Sequence, residues 1–216
     1  MHGYLQGRFT DQEGTSDRLE IRRARVIVTG DPLSRVSYRF QVDFVKRPYI
    51  MDASLTLKYS RFHSVTAGQM KIPFGAENIT SDNLNAPVAR SRAVLSLAPG
   101  RDTGVQGRDV GVLFSGSMHR GNGALVEYGA GVFRGQTLIY SPKVHYNATA
   151  GRLIFHPIHG LGVGADWYGS FSAPAHLVKR RQEVEGEYEH GRLKLRAEQI
   201  FARDGALERR GGYLVG

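Results

Sequence analysis

Cysteine is absent from all 216 residues, so neither a disulfide framework nor a thiolate metal site is available. Long apolar runs are absent too. None approaches the roughly 18 residues a membrane helix requires, which excludes helical spanning. Tryptophan is reduced to one residue, against ten tyrosines and ten phenylalanines. Acid is in short supply: 20 Asp and Glu stand against 29 Lys and Arg, a net charge of +9. A helical period persists nowhere. What recurs is a period of two.

Residues 35–44 show it most clearly. Val36, Tyr38, Phe40, Val42 and Phe44 alternate with Arg35, Ser37, Arg39, Gln41 and Asp43. Side chains on a strand point to opposite faces in turn, so one face is apolar and the other charged. Residues 51–59 repeat the pattern, with Met51, Ala53, Leu55, Leu57 and Tyr59 opposite Asp52, Ser54, Thr56 and Lys58. Leu193, Leu195 and Ala197 oppose Lys194, Arg196 and Glu198 in the same way. A sheet that is apolar outside and charged inside, closed on itself, is a membrane barrel around an aqueous lumen. Strands are expected over 4–10, 18–30, 35–45, 50–59, 64–73, 103–117, 124–134, 143–156, 161–170, 178–188, 192–202 and 209–216. The connections alternate between tight ones (31–34, 60–63, 118–123, 157–160, 189–191) and mostly longer ones (11–17, 45–49, 74–102, 136–142, 171–177). That alternation is the up-and-down topology of an outer-membrane barrel, with short periplasmic turns and longer external loops. Arg22 falls on the apolar phase of Ala24 and Val26, which places it at a rim or beside a bulge. Strand-like runs reach both ends of the chain, so residues 1–216 are expected to be a single barrel domain, incomplete at both ends and open at its edge.

The polar phase is rich in cations: Arg23, Arg25, Arg35, Arg39, Lys58, Lys71, Arg152, Lys194 and Arg196. A water-filled lumen lined by Arg and Lys attracts anions, and the guanidinium fork matches phosphate oxygens. Val36, Phe40, Leu55, Leu57, Leu193 and Leu195 are expected to face lipid. Met70 and Ile72 oppose Gln69 and Lys71, although Thr66 breaks the pattern of that strand. Residues 74–102 are too long for an ordinary connector. They carry Arg90, Arg92 and Arg101, and their apolar Val88, Ala93, Val94, Leu95 and Leu97 imply packing.

Several segments resemble the phosphate-selective porin (O and P) family. They are LEIRRARV (19–26), YRFQVDF (38–44), DASLTLKY (52–59), GQMKIPFG (68–75), RSR (90–92) with APGRD (98–102), and YGAGVF (128–133). GQMKIPFG is the most specific of them. The resemblance implies an all-β, sixteen-stranded antiparallel transmembrane barrel, homotrimeric, in the cell outer membrane and in contact with its lipid. It passes inorganic anions, phosphate among them. About twelve of the sixteen strands would be present here. In porins the third external loop folds into the barrel, so Arg90, Arg92 and Arg101 are expected at a constriction facing the wall cations.

Nothing points to an enzyme, a cofactor or a metal. His145, His156 and His159 lack metal-site spacing, and Gly129 and Gly131 are a strand pair with no helix following. The basic balance also raises a nucleic-acid-binding β protein. Such a protein clusters cations with stacking aromatics, whereas here most Tyr and Phe lie on the phase opposite the cations. A structural or adhesive barrel with a plugged lumen is the other alternative.

Overall fold

The computed structural model of the chain describes residues 1–11, 18–45, 49–60, 62–82, 89–121, 123–139, 146–172 and 174–216. Among them run twelve strands: β1 (His2–Thr10), β2 (Arg18–Leu33), β3 (Val36–Asp43), β4 (Ile50–Lys58), β5 (His63–Lys71), β6 (Arg108–Arg120), β7 (Gly123–Phe133), β8 (Asn147–Ile158), β9 (Leu161–Phe171), β10 (Lys179–His190), β11 (Leu193–Asp204) and β12 (Leu207–Val215). They form one antiparallel sheet in strict sequence order, unclosed, with β1 and β12 at its edges. Two short helices, α1 (Ala76–Ile79) and α2 (Arg92–Leu97), lie between β5 and β6, and a single 3-10 turn covers Ala175–Leu177. The expected connections over 12–17, 46–48 and 140–142, the first residues of the strand expected from 143, and Val88 and His145 lie outside the described residues.

Register turns the alternation into two faces, because residues opposite each other across a ladder share a side. Tyr38 pairs with Leu55 and Phe40 with Ala53, while Ser37 pairs with Thr56 and Arg39 with Ser54. The apolar set faces outward: Phe40 is 41%, Leu55 59% and Leu193 50% exposed. A soluble protein hides such residues, whereas a barrel wall presents them to lipid.

Two bulges interrupt the phase. The β1–β2 register passes from Gln6–Arg23 to Gly7–Ile21, so Arg22 is the extra residue of a bulge. The β3–β4 register skips Met51, passing from Gln41–Asp52 to Val42–Ile50. Met51 is therefore fully buried rather than part of the apolar outer face.

Strand β5 also departs from expectation. Gly68 has φ +122°, and a Cβ there would lie 2.3 Å from the Ala53 carbonyl oxygen. Only glycine fits that approach. Beyond it, Met70 and Ile72 join a buried cluster on the concave side instead of the lipid face. The cluster contains Phe74, Val94, Leu97, Phe133, Tyr168 and Ile200.

Candidate functional site: the segment folded into the concave face

Residues 72–82, continuing from β5, and 89–107, leading into β6, lie on the concave face. Apolar packing seats them first. Phe74, Val94, Leu97 and Ala98 pack against inward-facing Phe133, Ala148, Ala150, Tyr168, Ile200 and Ala202. Polar bonds then fix the position. The Gly75 amide donates to Asp166 Oδ2 at 2.6 Å and the Glu77 amide to Glu198 Oε1 at 2.5 Å. Arg181, buried on β10, donates through Nε to the Leu97 carbonyl at 2.8 Å and through Nη2 to Asp102 at 3.0 Å. Lys71 Nζ donates to the carbonyls of Ile79 (2.8 Å) and Thr80 (2.9 Å). Within the segment, Ser91 caps α2 by accepting from the Val94 amide at 3.1 Å.

Asp82 is the hub of the charged side of this arrangement. Its carboxylate meets Arg25 at 2.6 Å, Arg90 at 2.8 Å and Arg23 at 3.1 Å. Burial pushes the Asp82 carboxyl up, but the guanidiniums of Arg90, Arg25 and Arg23 together outweigh it and hold its pKa well below the usual carboxylate range. Arg25 also donates to Asp43 at 2.7 Å, Tyr4 at 2.8 Å and Gln106 at 2.9 Å. Asp52 is a second hub, accepting from Arg39 at 2.9 Å and Arg108 at 2.8 Å. Arg101 donates to Asn78 Oδ1 at 2.7 Å. Burial, with repulsion from Arg90 and Arg108 against attraction by Asp82, pushes the Arg101 pKa down. Around the two hubs Arg23, Arg25, Arg39, Lys71, Arg90, Arg101 and Arg108 thus stand against Asp43, Asp52, Asp82 and, beside Arg90, Glu77.

The wall of β8–β11 differs. Arg152 makes a bidentate pair with Glu185, at 2.7 and 2.9 Å. Arg196 pairs with Glu187, and Lys194 with Glu189 at 2.9 Å. Asp166, Glu183 and Glu198 add buried carboxylates beneath α1. Two adjoining cavities, about 730 and 570 Å³, share Ile79, Glu127 and Arg152 in their linings. They reach the tight-turn end through Gly160 and Gly191 on one side and Phe62 on the other.

Of the cations expected from sequence, the structure brings Arg23, Arg25 and Arg90 together around Asp82, with Arg39, Lys71 and Arg101 close to the same network. Arg152, Lys194 and Arg196 lie on the other wall, each beside a carboxylate. Lys58 pairs with Asp31 at 2.6 Å near a turn, with both side chains largely solvated. Arg35 is exposed in the turn before β3, and Arg92 is exposed at the start of α2. Arg108 was not expected: Ser115 and Leu113, inward on β6, have odd numbers, and Arg108 stands outside that alternation. Among the described residues no group of His, Asp or Glu is arranged to hold a metal ion.

A model of the family described as phosphate-selective porin O and P matches residues 3–168. Among solved structures, the in-vitro folded trimer form of OmpT, an outer membrane protein of Vibrio cholerae, is similar at 15% identity and a TM-score of 0.46, over 98% of this chain and 80% of that one. Its loop L8 deletion mutant is similar at 15% identity and 0.44, over 98% and 84%. No curated protein matches.

Proposed function

Since the chain belongs to the phosphate-selective porin O and P family and is an outer-membrane porin, we propose that it conducts small inorganic anions, phosphate among them, between the infolded segment and the wall. The observation that carries this reading is the imbalance around Asp82 and Asp52: seven basic side chains against four carboxylates, Glu77 beside Arg90 included. In a hydrated passage such an excess raises the local anion concentration and lowers that of cations. Arg39 is the accessible member, with its side chain 39% exposed. Arg23, Arg25 and Arg90 hold the segment and supply the field behind it. The family implies a channel rather than an enzyme, and the reading includes the homotrimer as the working assembly and residues 1–216 as one barrel-forming unit.

The test is the reversal potential in a planar bilayer under a salt gradient. The parent should be anion-selective, and R39E should move the potential toward cation selectivity. A cation-selective parent overturns the reading. One observation favours a second reading. The apolar cluster of Phe74, Val94, Leu97, Phe133 and Ile200 fills part of the concave side, as a plugged structural barrel would require. A folded, inserted protein with no conductance would select that alternative.

A further inference from the structure

The outward phase of the sheet is almost free of charge. On β1–β9 the outward positions set by the registers are apolar or neutral apart from the bulge residue Arg22, Arg120 at the tight-turn end of β6, and the Lys71–Arg108 pair at the segment end of β5 and β6, whose side chains bond to the Ile79 and Thr80 carbonyls and to Asp52. On β10–β12 they are not. Arg180 pairs with Arg203, which pairs with Glu208, and in the next row Trp167, Gln182, Phe201 and Arg210 follow one another across four strands. Three arginines therefore stand on the lipid-facing phase at one corner of the wall. All three are exposed, and they line an outer groove of about 760 Å³ with Trp167, Gln182 and Phe201. Arg203 has a carboxylate only at 3.8 Å, that of Glu208. Neither Arg180 nor Arg210 forms an ion pair among the described residues.

Arginine on the lipid face is costly at the bilayer midplane and tolerated near the headgroups, where a long side chain snorkels to polar partners. This corner lies at the end of β9–β10 bearing the longer connection, 172–178, which is the external end of an outer-membrane barrel. The external leaflet of that membrane is built of a phosphorylated glycolipid. Its phosphates suit guanidinium forks, and its sugar and acyl regions suit an indole and a phenyl ring set between them. We propose that this groove binds the phosphorylated headgroup of an outer-leaflet glycolipid. A second copy of the chain fits less well. Among the outward positions of the described strands Glu208 is the sole carboxylate, so a copy offers almost nothing to neutralise three arginines. The inference rests on the outer-membrane location and not on the selectivity of the pore.

Trp167 is the chain's sole tryptophan, so its fluorescence reports from within the groove. The full chain, refolded in detergent micelles, is titrated with bis-phosphorylated lipid A, with dephosphorylated lipid A and with inorganic phosphate. The phosphorylated lipid should give a saturable change in emission, and native mass spectrometry should show it as a bound adduct. R180Q/R203Q/R210Q should weaken that binding by about tenfold or more, and the single R210Q should weaken it measurably should the triple variant fold poorly. Bilayer reversal potentials of R210Q, measured separately, should match the parent's, which keeps this result apart from the pore reading. Equal binding of dephosphorylated lipid A, or an R210Q variant that titrates like the parent, overturns the proposal. Inorganic phosphate reproducing the full change overturns the lipid as the source. A triple variant whose oligomeric state changes while its lipid affinity does not would place a second copy there instead.

Discussion

At the scale of single residues, Asp82 decides whether two buried guanidiniums, Arg25 and Arg90, and the largely buried Arg23 are stabilising or costly. Asp82→Asn removes the carboxylate they share, and breaking a buried pair of this kind costs about 3–5 kcal/mol. The variant should unfold at lower urea and show noisier single-channel current as the segment loosens. Unchanged unfolding would mean that the hub contributes nothing. The pH dependence follows from the direction of the shift. A carboxyl whose folded pKa lies below its unfolded value, about 4, contributes stability that is fully present above that unfolded value. The contribution is lost as pH falls further, through the folded pKa. Asp82 should therefore leave stability flat between about pH 5 and 7 and weaken the protein only in strong acid. This dependence should disappear in Asp82→Asn. Gly151 matters for a different reason. A Cβ there would lie 1.9 Å from the Trp167 ring, which packs across it. Gly151→Val should displace the indole and shift its emission, without loss of the sheet's circular dichroism.

At the scale of elements, most of the sheet was legible because a two-residue period allows one reading of the faces. Residues 35–45 were expected as a strand with Val36 and Phe40 outward, and β3 runs Val36–Asp43 with Phe40 exposed. The period fails where backbone geometry resets it. Gly68, at positive φ, breaks β5 before Met70 and Ile72, and the bulge at Met51 turns that side chain out of phase. Neither is visible in a hydrophobic pattern, since an inward methionine and an outward one read alike. The apolar content of the segment between β5 and β6 did foreshadow packing, and Val94 and Leu97 supply it. Trp167 gives this scale its test. Acyl-brominated lipids should quench its emission strongly, and aqueous iodide should do so weakly, because the residue faces outward. The reverse order would mean that the two faces of β9 are exchanged.

At the scale of the whole molecule, the net charge of +9 conceals an uneven distribution. The sequence period tells which face a cation occupies but not which carboxylate it will meet. Asp82 lies 57 residues from Arg25 and reaches it only because residues 72–82 lie on the concave face. Arg152, Lys194 and Arg196 read as lumen cations in the sequence, with the β10 carboxylates Glu183, Glu185 and Glu187 on the same phase as possible partners, and register decides that Arg152 meets Glu185, Arg196 meets Glu187 and Lys194 meets Glu189. The two walls should therefore respond with opposite sign to substitutions that remove a charge. Arg39→Gln reduces the cation excess and should lower anion selectivity. Glu187→Gln leaves Arg196 without its carboxylate and should raise it, even though each variant removes one charge from a paired side chain. Each effect should be modest, because charges in a hydrated passage are screened over about 10 Å at 0.1 M salt. Both should shrink together as salt rises toward 1 M, where the screening length falls to about 3 Å. Reversal potentials at three salt concentrations measure this directly. Shifts of the same sign in the two variants, or shifts that do not diminish with salt, would mean that the wall charges are not what selects the ion.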